Sequence, residues 1–202
     1  MGFYNDWIVP HLVNLAMRNR QLAPYRERIV GQAEGRILEI GVGSGVNLPL
    51  YADHAREIVG LEPHPKLLKM ALKKPGRVPT ELIEGSAESI PLEDSSIDTV
   101  VTTWTLCSIR DVAIALTEMR RVLKPSGQLL FVEHGLSPDE GIRKWQNRLT
   151  PAWKKIAGGC HLNRPMRTLI ENAGFEISRL ETGYMPGPKP MTYMYEGAAK
   201  PK

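Results

Sequence analysis

The sequence predicts an α/β fold with a mostly parallel, seven-stranded sheet, an antiparallel C-terminal strand and additional N-terminal helices. Short apolar runs rich in β-branched residues alternate with amphipathic helical patterns, which is typical of a parallel sheet. A glycine-rich turn over residues 41–45 directly follows the first of these runs. The last two runs are separated by a proline-rich loop, which favours an antiparallel hairpin at the sheet edge.

The elements follow one another in an order that suits such a sheet. Apolar residues at helical spacing predict helices up to about residue 33. The predicted strands are residues 36–40, 57–61, 80–83, 97–102, 128–133, 175–181 and 191–197. Further helices are predicted to start near residues 63, 112, 141 and 164. Residues 124–127 (Lys-Pro-Ser-Gly) are predicted to form the turn before the fifth strand.

The composition limits the class of protein. Hydrophobic residues make up 42% and charged residues 24%, as in soluble domains, and 202 residues suffice for one domain. The net charge of +4 is spread along the chain and predicts no nucleic-acid partner. No apolar run reaches the ~18 residues of a membrane span, and no secretory leader is evident. We therefore expect a cytoplasmic protein with reduced thiols at Cys107 and Cys160.

The glycine-rich turn indicates a nucleotide-like ligand. Glu39 precedes Gly41, Gly43 and Gly45, and glycine lets the backbone approach a ligand because no Cβ intervenes. A dinucleotide-binding turn would need its third glycine at position 46, which is Val46. An acidic residue followed by this G-x-G-x-G spacing resembles motif I of the class I S-adenosylmethionine-dependent methyltransferases.

A second carboxylate supports this interpretation. Glu62 closes the second predicted strand about 20 residues after the turn, where an acidic side chain accepts hydrogen bonds from a ribose diol. The alternative is an acid that complements the dipole of the following helix. With the glycine turn upstream, we expect the ribose role.

Three further segments carry the resemblance forward. Residues 85–92, 94–98 and 123–127 resemble a loop, a strand entry and a turn of the ubiquinone/menaquinone-biosynthesis-type methyltransferases within class I. The resemblance implies a Rossmann-like class I methyltransferase fold and S-adenosyl-L-methionine as the cofactor. Ser86 stands where that family usually has an acid, so Ser86 or the backbone of Ala87 would contact the adenine amino group.

A narrower resemblance concerns the acceptor. Residues 103–108, 132–134, 151–153 and 159–164 resemble segments of the methyltransferase-like family that includes membrane-associated alkyl-thiol S-methyltransferases of animals. The long N-terminal membrane anchor of those proteins has no match in this sequence. Thiols are therefore one candidate acceptor class, beside amines and quinols or phenols.

The resemblances imply a single domain over residues 1–202. Residues 1–33 would form a helical cap, residues 34–134 the cofactor-binding core, and residues 135–202 the substrate-covering helices and the C-terminal hairpin. The residues expected to contact the cofactor are Glu39, Gly41, Gly43, Gly45, Asn47, Glu62, Pro63, Ser86, Ala87, Glu88, Thr103 and Trp104.

Two histidines are candidates for acid–base chemistry. His134 follows the fifth strand and is the candidate general base or orienter, the alternative being a histidine that bonds a backbone group. His161 is the second candidate, and Glu133 is a candidate partner for either imidazole. Cys160 lies next to His161 and the other histidines lack ligand spacing, so we expect no metal site. Cys107 is expected to be a buried apolar residue rather than a nucleophile.

We expect an enzyme that methylates a small, apolar acceptor and acts as a monomer or a homodimer. One alternative is a phospholipid N-methyltransferase at the membrane surface, for which the apolar and arginine-rich N-terminal segment would provide peripheral contact. The other alternative is a non-catalytic module that binds S-adenosylmethionine. It would bind the cofactor without converting it to S-adenosylhomocysteine.

Overall fold

The computed structural model describes residues 8–74 and 76–202, so the first seven residues of the predicted helical cap lie outside it. The strands are β1 (Gly35–Ile40), β2 (Ala55–Glu62), β3 (Thr80–Glu84), β4 (Ile97–Thr103), β5 (Leu123–His134), β6 (Phe175–Tyr184) and β7 (Tyr193–Pro201). The helices are α1 (Val9–Met17), α2 (Ala23–Val30), α3 (Pro65–Ala71), α4 (Val112–Val122), α5 (Glu140–Ile156), α6 (Met166–Asn172) and α7 (Lys189–Thr192).

The strands form one sheet in the order β3-β2-β1-β4-β5-β7-β6. The pairs among β1 to β5 are parallel, whereas β7 runs antiparallel to both of its neighbours, β5 and β6. The predicted Rossmann-like fold with a mostly parallel, seven-stranded sheet is therefore confirmed. Because parallel strands point the same way, the carboxyl ends of β1, β2, β4 and β5 lie along one side of the sheet, which we call the carboxyl edge.

Apolar side chains cover both faces of the sheet. Successive strand residues point to opposite faces, so Leu38 and Phe131 pack with α4 and α6, whereas Ile37 and Leu130 pack with α2. All four side chains are fully buried. The two apolar layers fix the sheet between its helices and hold the carboxyl edge in a defined position.

β5 begins earlier than the sequence predicts, at residue 123 rather than 128. Residues 124–127, predicted as a turn, belong to the strand, and Leu123 pairs with Ile97. The register shifts between Ile97 and Thr99, so the added residues are accommodated by an irregularity of the ladder. Only Leu123 pairs with the start of β4, and regular pairing resumes at Gln128, so the Lys-Pro-Ser-Gly segment lies in the irregular part of the strand between these two pairs.

No helix in the described part of the chain is long and apolar enough to cross a membrane. α1 exposes two large apolar side chains, since Leu12 is 48% and Leu15 is 70% exposed. Peripheral contact of this segment with a membrane stays a prediction.

An ion pair ties α2 to the C-terminal strand. Arg28 donates from Nε to Oε1 of Glu196 at 2.9 Å and from Nη2 to Oε2 at 2.6 Å. The Glu196 side chain is only 3% exposed, whereas that of Arg28 is 50% exposed. The bidentate geometry satisfies both oxygens of a buried carboxylate and fixes the position of α2 against β7.

We expect the substitution Arg28→Ala to lower the free energy of unfolding by roughly 1 to 2 kcal/mol, because it leaves the buried Glu196 carboxylate unpaired. Urea denaturation measures the change. The matched control is Lys144→Ala, which removes an exposed ion pair to Glu140 on α5 and should cost less than about 0.5 kcal/mol. Equal losses in the two variants would contradict a stabilising role of the Arg28–Glu196 pair.

Candidate active site

In the turn after β1, two glycines are required by close protein neighbours and one glycine, Gly43, borders open space. Gly41, Gly43 and Gly45 have φ angles of +67°, +56° and +74°, in the left-handed region. A Cβ on Gly41 would lie 2.5 Å from the Thr105 side chain, and one on Gly45 would lie 3.1 Å from Ala71. A Cβ on Gly43 would meet only the Gly41 carbonyl oxygen, at 3.8 Å. The space that a ligand could enter therefore lies beside Gly43.

Glu62, the carboxylate predicted to bind ribose, lies against this turn. Its Oε2 accepts a hydrogen bond from the Gly43 N–H and its Oε1 accepts one from the His64 N–H, both at 3.0 Å. Burial raises the pKa of Glu62, and the two N–H groups partly offset that effect. Pro63, the next residue, is exposed. The structure thus brings together two features that the sequence places 19 positions apart.

Glu39 is fully buried, and protein groups bind both of its carboxylate oxygens. The Asn47 amide donates to Oε1 and the Tyr51 hydroxyl donates to Oε2, each at 2.8 Å. Asn47 also donates to Oγ1 of Thr103 at 3.0 Å. Burial raises the pKa of Glu39 to about 7, against the opposing effects of these hydrogen bonds and of the Arg26 charge. Glu39, Asn47 and Thr103 therefore belong to one buried polar network.

Arg26 of α2 completes this network, although no sequence pattern indicated it. Its Nη1 donates to Oδ1 of Asn47 at 2.7 Å and to Oγ1 of Thr103 at 3.3 Å. Its guanidinium carbon lies 4.8 Å from the centre of the Trp104 ring. Trp104 has a φ of +51°, which is unusual for a residue other than glycine. The N-terminal helices thus contact the carboxyl edge where β4 ends.

The loop after β3 is held by its own side chains. Ser86 donates from Oγ to Oε2 of Glu88 at 2.8 Å, and the Glu88 N–H donates back to Oγ at 3.2 Å. Oε1 of Glu88 accepts a further bond, at 2.6 Å, from the Asp111 N–H. Ala87 is buried in the apolar core. The contact of this loop with an adenine ring stays a prediction.

Glu133 bonds to the main chain rather than to an imidazole. Its Oε1 accepts from the N–H groups of Thr105 and Leu106, at 2.9 and 3.1 Å. The side chain is fully buried, and burial raises its pKa to about 8. Glu133 therefore positions the segment that follows β4, a role that the sequence did not indicate.

His134 lies at the carboxyl end of β5, as predicted, and contacts a cysteine. Its Nε2 is 3.0 Å from Sγ of Cys160. Its Nδ1 has no hydrogen-bond partner among the described residues, although the ring is buried. Burial alone would lower the pKa of His134, but Cys107 and Glu133 outweigh it and raise that pKa. His134 is thus suited to carry a positive charge beside sulfur.

His161 lies on the same side of the molecule and faces a carbonyl group. Its Nδ1 is 3.1 Å from the carbonyl oxygen of Cys107, which also accepts from the His161 main-chain N–H at 2.8 Å. Burial and the charge of Arg164 lower the pKa of His161. In this structure His161 holds the main chain at Cys107, and its predicted catalytic role stays a prediction.

Comparison with known proteins identifies the family. Residues 38–131 match the model of a family described as a methyltransferase domain. The thiol S-methyltransferase TMT1B of Homo sapiens is 32% identical over 81% of this chain, and the match covers 72% of the human protein. The chain belongs to the class I S-adenosylmethionine-dependent methyltransferases. S-adenosylmethionine is therefore the cofactor of this methyltransferase, as predicted.

Two further comparisons extend this result. The thiol S-methyltransferase TMT1B of Rattus norvegicus is 36% identical over 73% of the methyltransferase, which spans 63% of the length of that relative. A solved S-adenosylmethionine-dependent methyltransferase from Thermotoga maritima has a TM-score of 0.69 at 23% identity, over 98% of this chain and 100% of the other. The latter likeness shows a common fold.

The raised pKa of Glu39 makes folding stability depend on pH. Between pH 4.5, its ordinary pKa, and about 7, the folded state keeps a proton that the unfolded state has lost. Stability therefore falls as pH rises through this window and is level above it for this group. Glu39→Gln removes this titrating group. Between about pH 5 and about pH 8, the free energy of unfolding should therefore fall by roughly 1 to 3 kcal/mol less in the variant than in the wild type.

Chemical denaturation at the two pH values measures this difference. Glu27→Gln, which changes an exposed carboxylate on α2, serves as the control and should keep the wild-type profile. The same pH dependence in the Glu39 and Glu27 variants would show that Glu39 does not hold the proton.

Proposed function

We propose that this methyltransferase transfers the methyl group of S-adenosylmethionine to a small thiol. The observation that carries the proposal is the environment at the ends of β4 and β5, where buried cationic side chains lie beside sulfur atoms. The reactive form of a thiol is the thiolate, and nearby positive charge stabilises it. The human and rat relatives are both named thiol S-methyltransferases, which supports the same acceptor class.

The effect on a sulfur atom is visible in the chain's own cysteine. A hydrogen bond from Cys160 is the largest cause that lowers the pKa of the Cys107 thiol well below its usual value, against the effect of burial, and the charge of His134 lowers it further. The same hydrogen bond and burial raise the pKa of Cys160. The buried guanidinium of Arg164 lies close enough to act on the same group. An acceptor thiol that enters this region would meet the same cationic side chains.

The residues that fit S-adenosylmethionine lie at the ends of β1 and β2, which are next to β4 and β5 on the carboxyl edge. Gly43 leaves space for a ligand beside the turn, and Glu62 presents a buried carboxylate next to it. We infer that Glu62 accepts hydrogen bonds from the ribose hydroxyls and that the turn receives the amino-acid portion. When bound, the cofactor supplies an electrophilic methyl group, so the chain needs only to align a nucleophile and exclude water.

We infer the roles of the three parts of the chain from the same proposal. Residues 1–33 act as a cap over the cofactor-binding core of residues 34–134, and residues 135–202 cover the acceptor. Arg26 supports the first part, since it joins α2 to the ends of β1 and β4. A cytoplasmic location fits the two free cysteines.

The substitution Gly43→Val tests the cofactor site. Its side chain would fill the space beside the turn and oppose the positive φ, so we expect at least about tenfold weaker binding of S-adenosylmethionine. Isothermal titration calorimetry measures the affinity. Gly183→Val is the control, since a Cβ there meets nothing within 4 Å and the residue lies on β6, outside the turn. Undiminished binding by the Gly43 variant would place the cofactor elsewhere.

An acceptor panel tests the reaction. S-adenosylhomocysteine release is measured with alkyl and aryl thiols, amines, quinols, phenols and phosphatidylethanolamine vesicles. We expect turnover with thiols and at least about tenfold lower kcat/KM with the other classes. Turnover confined to vesicles would support a phospholipid N-methyltransferase, and turnover confined to quinols would support a quinol methyltransferase. Cofactor binding without any release would indicate a non-catalytic module.

A further inference from the structure

Three metal-ligating side chains from distant parts of the chain meet at the carboxyl edge. Cys107 follows β4, His134 ends β5, and Cys160 lies between α5 and α6. The two Sγ atoms and a ring nitrogen of His134 all lie within 4.8 Å of one another. Cys107 and His134 are buried, and Cys160 is partly exposed. The sequence predicted no metal site, because Cys160 is adjacent to His161 and the remaining histidines show no ligand spacing.

The donor set suits one metal ion in particular. Two thiolates and an imidazole are soft or borderline ligands, which favour Zn²⁺ over Mg²⁺ or Ca²⁺. Zinc–sulfur bonds of about 2.3 Å and zinc–nitrogen bonds of about 2.0 Å place tetrahedral ligand atoms roughly 3.5 to 3.8 Å apart. His134 Nε2 and Cys160 Sγ are 3.0 Å apart, and all three ligand atoms lie within 4.8 Å of one another, so the separations are close to those that an ion needs. Movements of about 1 Å would close the site around an ion.

The segment that carries Cys107 is held on several sides. Glu133 accepts from two main-chain N–H groups just before Cys107. Arg164 donates to the carbonyl oxygens of Leu106 and Ile109, and His161 bonds the carbonyl of Cys107 itself. These main-chain contacts fix the position of Cys107 close to His134 and Cys160.

The local charges also suit the ion. Cys160 is partly exposed and adjoins two glycines, Gly158 and Gly159, with φ angles of +59° and +88°. Two thiolates would cancel the charge of Zn²⁺. The His134 imidazole, whose coordinating nitrogen would release its proton to solvent when the ion binds, would complete three protein ligands. Zinc sites with three protein ligands keep a fourth position for water or substrate.

We propose that Cys107, His134 and Cys160 bind one Zn²⁺ ion, whose fourth coordination position takes the sulfur of an acceptor thiol. The second half of the proposal rests on the proposed thiol methyltransferase function, whereas the first half is independent of it. On binding, the thiol forms a zinc–sulfur bond, displaces a water molecule and releases its proton to solvent. The acceptor is thereby held as a thiolate near neutral pH.

Metal analysis tests the first half with neither S-adenosylmethionine nor an acceptor present. Full-length protein, stripped by a chelator and then given Zn²⁺, should retain about one equivalent per chain after desalting. The Co²⁺ form should show sulfur-to-cobalt charge-transfer absorption and the intense visible bands of a tetrahedral ion. Retention of no metal, absence of these bands, or a Cys107–Cys160 disulfide in freshly purified protein would each overturn the proposal.

Single substitutions locate the ligands. Cys107→Ser, His134→Gln and Cys160→Ser should each weaken Zn²⁺ binding by at least about 100-fold, and each cysteine change should remove roughly half of the charge-transfer intensity. His54→Gln, which changes an exposed histidine away from the cluster, is the control and should bind like the wild type. Wild-type affinity in the three variants would overturn the site.

A second measurement on unmodified protein guards against variants that fail to fold. Added Zn²⁺ should slow the reaction of both wild-type thiols with Ellman's reagent by at least about tenfold, because coordinated thiolates are protected. Reactivity that Zn²⁺ leaves unchanged would overturn the proposal whatever the variants do.

The fourth position is tested by adding a simple thiol, 2-mercaptoethanol, to the Co²⁺ form. The charge-transfer intensity should rise about 1.5-fold as thiolate ligands increase from two to three, while ethanolamine should leave it unchanged. No rise with the thiol would overturn the second half. If thiols give no turnover in the acceptor panel while the protein still binds the metal, the proposed function is contradicted and the metal site is not.

Discussion

Three buried carboxylates determine the shape of the carboxyl edge. Glu39 near the end of β1, Glu62 at the end of β2 and Glu133 near the end of β5 are all 5% exposed or less. Each would be costly to bury alone, and each binds donors from a neighbouring turn or loop. Hydrogen bonds to a charged or partly charged carboxyl group are among the strongest that a protein makes. The strand ends and the following segments therefore cannot move independently.

This arrangement explains how a sheet built for stability also provides defined sites. Glu62 fixes the N–H of Gly43, so the turn keeps its open side towards the ligand space. Glu133 fixes the segment after β4, so Cys107 is held within reach of His134. In both cases the functional groups are placed by main-chain contacts of a neighbouring carboxyl group. Their positions are set before any ligand arrives, which is the requirement for catalysis by alignment.

The parts of the molecule that the sequence predicts are those encoded by local patterns. The strands carry contiguous apolar runs, and the glycine turn and Glu62 follow or end two consecutive parallel strands, β1 and β2. Arg26 could not be found in this way, because it lies 21 positions from Asn47 and 77 from Thr103. The same holds for Cys160, 26 positions from His134, since only the folded chain brings them together. The start of β5 was predicted too late because the pairing of Leu123 with Ile97 joins segments that are distant in the sequence, and no local pattern shows it.

The insertion of β7 between β5 and β6 has a consequence for how the protein is made. β5 pairs with β4 on one side, but its other side is covered only by residues 193–201, near the end of the sequence. During synthesis the chain therefore carries an unpaired, strongly apolar edge at its centre until those residues have left the ribosome. Such an edge can act as a template for aggregation, and the sheet closes over it only when residues 193–201 pair with β5.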